Sequence, residues 1–124
     1  DPVSGAYWVA YEQVHAIQRS TIASHPDAVR DLEDIVDWPS NAGMEAMVRL
    51  ADGRFVILPE GGDRGLIFRR DPVEGDAPEA FRFVSPAAGY RATDLAQLPD
   101  GRLMVLMRRV VMPSRSAWPP FSTL

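Results

Sequence analysis

Glu45 and Glu60 flank one Asp-Gly pair at matching distances, and Thr93-Asp94 and Arg108 flank another. If Asp52-Gly53 and Asp100-Gly101 are the two-residue loops of β-hairpins, Glu45 faces Glu60 across paired strands and Thr93 faces Arg108. These residues then share the hairpin end away from the turn, on one face of the molecule. Directly opposed carboxylates repel, so Glu45 and Glu60 want a cation between or near them. Oxygen ligands with no His or Cys beside them suit calcium or magnesium better than zinc. Glu45, Glu60 and Asp94, with Glu12 as a further acid, are therefore candidate metal ligands. Arg64, in the loop after Glu60, and Arg108 are candidate phosphate-binding groups, because guanidinium pairs well with phosphate oxygens. A plainer reading stays open, in which Arg64, Arg91 or Arg108 neutralises the acids and ties adjacent sheets together. Pro59 cannot donate a ladder hydrogen bond, so its strand is expected to end or bulge there, swinging Glu60 from Glu45.

Other chemistries find little support. The 124 residues contain no cysteine, which excludes disulfides, thiolate catalysis and Cys-ligated zinc. His15 and His25 are the two histidines and neither sits in a metal-spacing motif; His15, in an alternating strand, reads as structural. There is no Gly-x-Ser-x-Gly elbow and no phosphate-loop, dinucleotide or EF-hand pattern. Net charge is −4 with both signs mixed, so no basic stripe points to nucleic acid. The run Leu103 to Met107 is far short of the roughly 18 apolar residues of a membrane helix. Asp31, Glu33, Asp34 and Asp37 read as a solvated face.

The elements that would position these residues repeat. Gly5, Gly53 and Gly101 stand 48 residues apart, each opening a similar apolar segment. Tyr7-Trp8-Val9-Ala10 falls on Phe55-Val56-Ile57-Leu58, and that on Leu103-Met104-Val105-Leu106. The spacing lies between the roughly 40–45 and 50 residue periods of four-stranded propeller blades. The expectation is an all-β chain, a β-propeller fragment of about two and a half four-stranded antiparallel blades. Its pieces fall at 1–37, 41–85 and 90–112, with 113–124 a proline-rich tail. Met44–Leu50 and Ala92–Leu98 are the expected innermost strands, the first alternating Met44, Ala46, Val48 and Leu50 against Glu45, Met47 and Arg49. Phe55–Leu58 and Leu103–Met107 are apolar throughout, as strands buried on both sides are. Leu66–Phe68 and Ala80–Val84 read as third and fourth strands around the loop Asp71–Pro78. Asp27–Asp37 suits a short helical turn, a loop or an outer strand equally. Trp8 is expected in the blade core and Trp38 where one blade meets the next; Trp118 has no assigned place. Propellers close with about four to eight blades, so remaining blades or a second chain are expected to complete the ring.

Ordered motifs add a resemblance over roughly residues 5 to 110. Asn41-x-Gly43-x-Glu45-Ala46, then Asp52-Gly53-Arg54, then Glu60, resembles the first signature of the phytase-like family. Thr93-Asp94-Leu95-Ala96-x-Leu98-Pro99-Asp100-Gly101-Arg102, followed by Val105-Leu106 and Arg108, is similar to the second. Tyr7-Trp8-Val9-Ala10-x-Glu12 with His15-Ala16-Ile17 resembles the strand that precedes the first. The resemblance implies a β-propeller, often exported to the periplasm or secreted, with phosphoesterase activity on a small phosphorylated substrate and calcium held by acids at one face. A non-catalytic propeller that binds a ligand or partner on that face is the alternative. Where the family usually has Glu-Arg-Ser after the last strand, this chain has Met107-Arg108-Arg109.

Overall fold

The computed structural model describes residues 1–11, 14–21, 26–38 and 43–111. Glu12, His25, Asn41 and the 113–124 tail lie outside them. Among the described residues nine strands run in chain order: β1 (Tyr7–Tyr11), β2 (Ala16–Ser20), β3 (Pro26–Asp31), β4 (Met44–Arg49), β5 (Phe55–Pro59), β6 (Arg64–Phe68), β7 (Glu79–Arg82), β8 (Arg91–Gln97) and β9 (Leu103–Arg108). They form three antiparallel sheets, β1-β2-β3, β4-β5-β6-β7 and β8-β9. Among the described residues helix is confined to one 3-10 turn at Pro72–Glu74 in the β6–β7 connection, capped by the Asp71 carboxylate on the Val73 amide. No helix among the described residues is long and apolar enough to cross a membrane.

The 48-residue period is carried by the backbone. β1, β5 and β9 occupy equivalent positions, and Tyr7↔Ser20 in the first sheet repeats as Phe55↔Phe68 in the second, displaced by 48 on both strands. The two Asp-Gly-Arg corners are near copies. The Gly53 amide donates to the Leu50 carbonyl at 2.9 Å, as the Gly101 amide does to Leu98 at 2.9 Å. Asp52 Oδ1 accepts from the Arg54 amide at 3.0 Å, and Asp100 Oδ1 from the Arg102 amide at 3.0 Å. Gly53 and Gly101 sit at φ 94° and 90°, which only glycine adopts without strain.

The corner is one residue longer than the expected two-residue loop. Leu50 pairs with Arg54 and the loop is Ala51–Gly53, a turn closed by a left-handed glycine. Arg49 therefore faces Phe55, and Ala46 faces Leu58. A bulge follows between Met44 and Ala46, leaving Glu45 as the surplus residue, and its counterpart between Ala92 and Asp94 leaves out Thr93. β5 ends at Pro59, as the missing amide requires.

The second sheet lies between the other two. On β5, Phe55 and Ile57 join Ile17, Leu32 and Trp38 of the first-sheet side, while Val56 and Leu58 join Ala92 and Leu95 of the third. Each bulge changes which face the strand presents. Met44 and Met47 pack on the first-sheet side, whereas Ala46 and Leu50 pack on the third, so the expected alternation breaks at Glu45. In β8, Ala92 and Leu95 point to the second sheet across the bulge at Thr93.

One open expectation resolves and two change. β3 makes the start of Asp27–Asp37 an outer strand, with a turn closed by the Val36 amide on the Leu32 carbonyl. His15 lies in the turn before β2 rather than in a strand, buried at φ 43° with its ring edge-on to Trp38. Leu103, Met104 and Leu106 are exposed, unlike their buried counterparts on β5, because no third strand or further sheet covers β9 among the described residues. The acids Asp31, Glu33, Asp34 and Asp37 are solvated as expected, and Trp38 joins the core between the first and second sheets.

Candidate functional site

The hairpin ends away from the two Asp-Gly corners meet in a groove of about 420 Å³ lined by Glu60, Gly89, Arg91, Arg108 and Val110. Glu60 is fixed just past β5 by its amide, which donates to the Gly43 carbonyl at 3.0 Å. Arg91 and Arg108 are opposite partners at the end of the β8–β9 ladder. Like charges in that position repel, and an acid from the next sheet offsets them: Arg91 Nη1 lies 3.6 Å from Glu60 Oε1. Glu60 is mostly buried, while Arg91 is largely exposed and can turn toward solvent. Next to the groove, the Arg109 guanidinium stacks 5.3 Å above the Tyr90 ring. The lip carries more cationic than anionic side chains and has the makings of an anion site.

The expected residues fall as follows. Glu60 and Arg108 come together in the groove, joined by Arg91, which enters the site by pairing with Arg108. The Glu45–Glu60 and Thr93–Arg108 facing pairs do not form, because the longer corner and the bulges move both registers. Glu45 is half-buried at its bulge, and Thr93 turns its hydroxyl to the Leu106 carbonyl at 3.3 Å. Asp94 is exposed and caps the Leu95 amide at 2.8 Å. Arg64 is the first residue of β6 rather than a loop residue, and it lines a different cavity of about 380 Å³ with Trp38, Asp63 and Ala80. Glu12 lies outside the described residues. Among the described residues no group of three or more His, Cys, Asp or Glu is arranged to hold a metal ion.

Sequence reasoning did not find a second charged cluster at the other end of the molecule. There Arg19 on β2 bonds Asp71 and Glu74 at 2.7 Å each and Asp27 at 3.2 Å. Trp8 Nε1 donates to Asp71 at 2.9 Å, and Arg49 stacks 5.7 Å from the Trp8 ring. Hydrogen bonds from Glu74, then Asp71 and Asp27, hold the Arg19 guanidinium pKa well above its ordinary value. Asp71 and Glu74 lie more than fifty positions from Arg19, so no local pattern announces the contact. It fastens the first sheet to the β6–β7 connection.

Against this geometry, the family model described as phytase-like, esterase-like activity of phytase, matches residues 2–117. The chain belongs to the phytase-like family. No curated protein and no solved structure gives a significant match. The family description points to a phosphatase or esterase-like role, which the phytase-like chain would exercise through the side chains it carries. Its groove offers two arginines, one carboxylate and an open mouth.

Proposed function

We propose that the three sheets are consecutive blades of a β-propeller and that the Glu60–Arg91–Arg108 groove binds and hydrolyses a small phosphate ester. The observation that carries this reading is the meeting of Arg91 and Arg108 on paired strands beside Glu60, in a chain of an esterase-like family. Two guanidinium groups can embrace a phosphoryl dianion through parallel charge-assisted hydrogen bonds. As Arg91 turns to the phosphate, Glu60 loses its neutralising partner and can accept a proton from an attacking water. The water oxygen then bonds to phosphorus, the ester P–O bond breaks, and the leaving alkoxide takes its proton from solvent. The arginines stabilise the charge that builds on the phosphoryl oxygens.

The calcium implied by the family resemblance does not fit the described acids. Glu60 is engaged by Arg91, Asp94 caps its own strand, and no group of three acids among the described residues is arranged to hold a metal ion. The proposed hydrolysis therefore relies on Glu60 and the two arginines alone. An exported setting, periplasmic or secreted, belongs to the same proposal and rests on the resemblance alone.

The test combines calorimetric titration with inorganic phosphate and turnover of p-nitrophenyl phosphate. Arg91→Gln and Arg108→Gln should each weaken phosphate binding roughly 10- to 100-fold, from about 1.5–3 kcal/mol per charged hydrogen bond. Glu60→Gln should bind phosphate at least as well and lose turnover. Absence of both binding and turnover, with or without added calcium, refutes the proposal. Binding without turnover selects the non-catalytic module, for which the existing Arg91–Glu60 pair is the favouring observation. A calcium-dependent rise in Tm would restore a metal to the site.

A further inference from the structure

Arg64 and Arg82 stand directly opposite one another at the end of the β6–β7 ladder, and Leu66 faces Ala80 on the next rung of the same face. Arg64, Leu66 and Ala80 border the cavity of about 380 Å³ that Trp38 closes from the first-sheet side, and Arg82 borders its continuation with Asp63. Opposed like charges repel. Glu60 offsets the facing pair on β8–β9, whereas among the described residues no ion pair engages Arg64 or Arg82. The floor of the cavity is apolar. Trp38 and Leu66 are buried, and Trp38 Nε1 donates to the Arg64 carbonyl at 3.1 Å, so the indole's one polar group is taken and the ring offers apolar surface. Two exposed carboxylates, Asp37 and Asp63, complete the wall, and no ion pair engages them among the described residues either.

We propose that this cavity binds a free α-amino acid with an apolar side chain. Its carboxylate bonds to Arg64 and Arg82, its ammonium to Asp37 and Asp63, and its side chain lies on Trp38 and Leu66. A carboxylate between two guanidinium groups accepts charge-assisted hydrogen bonds and relieves the repulsion of the facing pair. Removing the ligand's side chain from water is favourable by roughly 25 cal/mol per Å² of apolar surface. The volume lies within the roughly 300–1,000 Å³ of small-molecule sites. A simple anion would use the arginines and meet both aspartates as like charge, and an amine would meet both arginines. A ligand carrying both signs beside an apolar group uses every part of the lining. The proposal does not depend on the phosphate reading, since it involves neither Glu60 nor Arg91 nor Arg108.

Calorimetric titration of the chain with L-phenylalanine tests it, beside 3-phenylpropionate, which lacks the ammonium, and phenethylamine, which lacks the carboxylate. L-phenylalanine should bind with one-to-one stoichiometry, and each analogue should bind at least roughly tenfold more weakly, the loss expected when one charged hydrogen bond is removed. Arg82→Gln and Asp63→Asn should each weaken L-phenylalanine by a similar factor, and Arg108→Gln should leave it unchanged. No binding of L-phenylalanine at millimolar concentration overturns the proposal. So does 3-phenylpropionate binding as tightly as the amino acid, which would mark a plain anion site, or affinity that follows Arg108 rather than Arg82 and Asp63. Far-UV circular dichroism checks that each variant is folded. The ligand series needs no substitution, so it decides the matter even where a variant misfolds.

Discussion

Gly65 on β6 has almost no room for a side chain, and Gly65→Ala puts a number on that. A Cβ built there would lie 2.6 Å from Phe81 Cε1 and 2.9 Å from the Ile57 carbonyl oxygen. Gly65 pairs with Phe81 on β7, whose ring lies across the glycine and fills the space a side chain would take. The ring can tilt, but Ile57 is in the central strand of a buried sheet and its carbonyl cannot move far. Overpacking of this kind costs about 1–3 kcal/mol. Alanine also restricts the unfolded chain, which returns about 0.4–1 kcal/mol. The net expectation is a loss of about 1.5 kcal/mol, or roughly 6 °C in Tm at the usual unfolding entropy per residue. Urea unfolding followed by tryptophan fluorescence measures the first figure and a thermal melt the second. Phe81→Leu in the same chain should remove part of the added cost, with a coupling of about 1 kcal/mol in the double-mutant cycle. The carbonyl contact persists, so rescue stays partial. If Gly65→Ala is as stable as the parent, or costs the same with leucine at 81, the close-approach argument fails.

Arg19→Gln should lower stability by about 1–2 kcal/mol in urea, since it removes charge-assisted bonds to three acids at a partly exposed site. Raising salt should shrink that difference, because the cluster is open to ions on one side. Gly53→Ala should cost about 1 kcal/mol through its positive φ alone, there being nothing within 4 Å for the new methyl to strike. Gly53→Asn should cost less, and equal melting of the two variants would exclude backbone strain as the cause. Hydrogen bonds from the Arg54 amide, foremost, hold the exposed Asp52 carboxyl below its ordinary pKa. Its contribution is therefore complete above the unfolded value near 4 and fades as pH falls through the lower folded value. Asp52→Asn should leave an acid melt less steep over that window, and identical acid limbs would count against it.

The repeat and strand content were legible because they reside in composition: an apolar tetrad after each glycine and an Asp-Gly signal before two of them. β4, β5, β6 and β8 appear within one or two residues of their expected bounds, and β7 is displaced slightly toward its start. Register was not legible. Asp-Gly fits both a two-residue loop and the second half of a three-residue one, and only the Leu50–Arg54 pairing separates them. That step, together with the bulge after it, moves Glu45 away from Glu60. Arg91 is not legible as a binding group, because a two-residue loop pairs Arg108 with Thr93, whereas the longer corner and the bulge pair it with Arg91. The Arg19 cluster was invisible for another reason: its partners approach through sheet stacking, which leaves no trace in nearby sequence.

The surplus residue at Glu45, matched by Thr93 one period later, acts as a parity switch within β4 and β8. Residues on its turn side keep step with the hydrophobic core, while those on its rim side are counted from a new origin. Side chains at the rim can therefore be exchanged for different chemistry without re-phasing the packing beyond. The same irregularity that hides the site from simple alternation also frees it to vary.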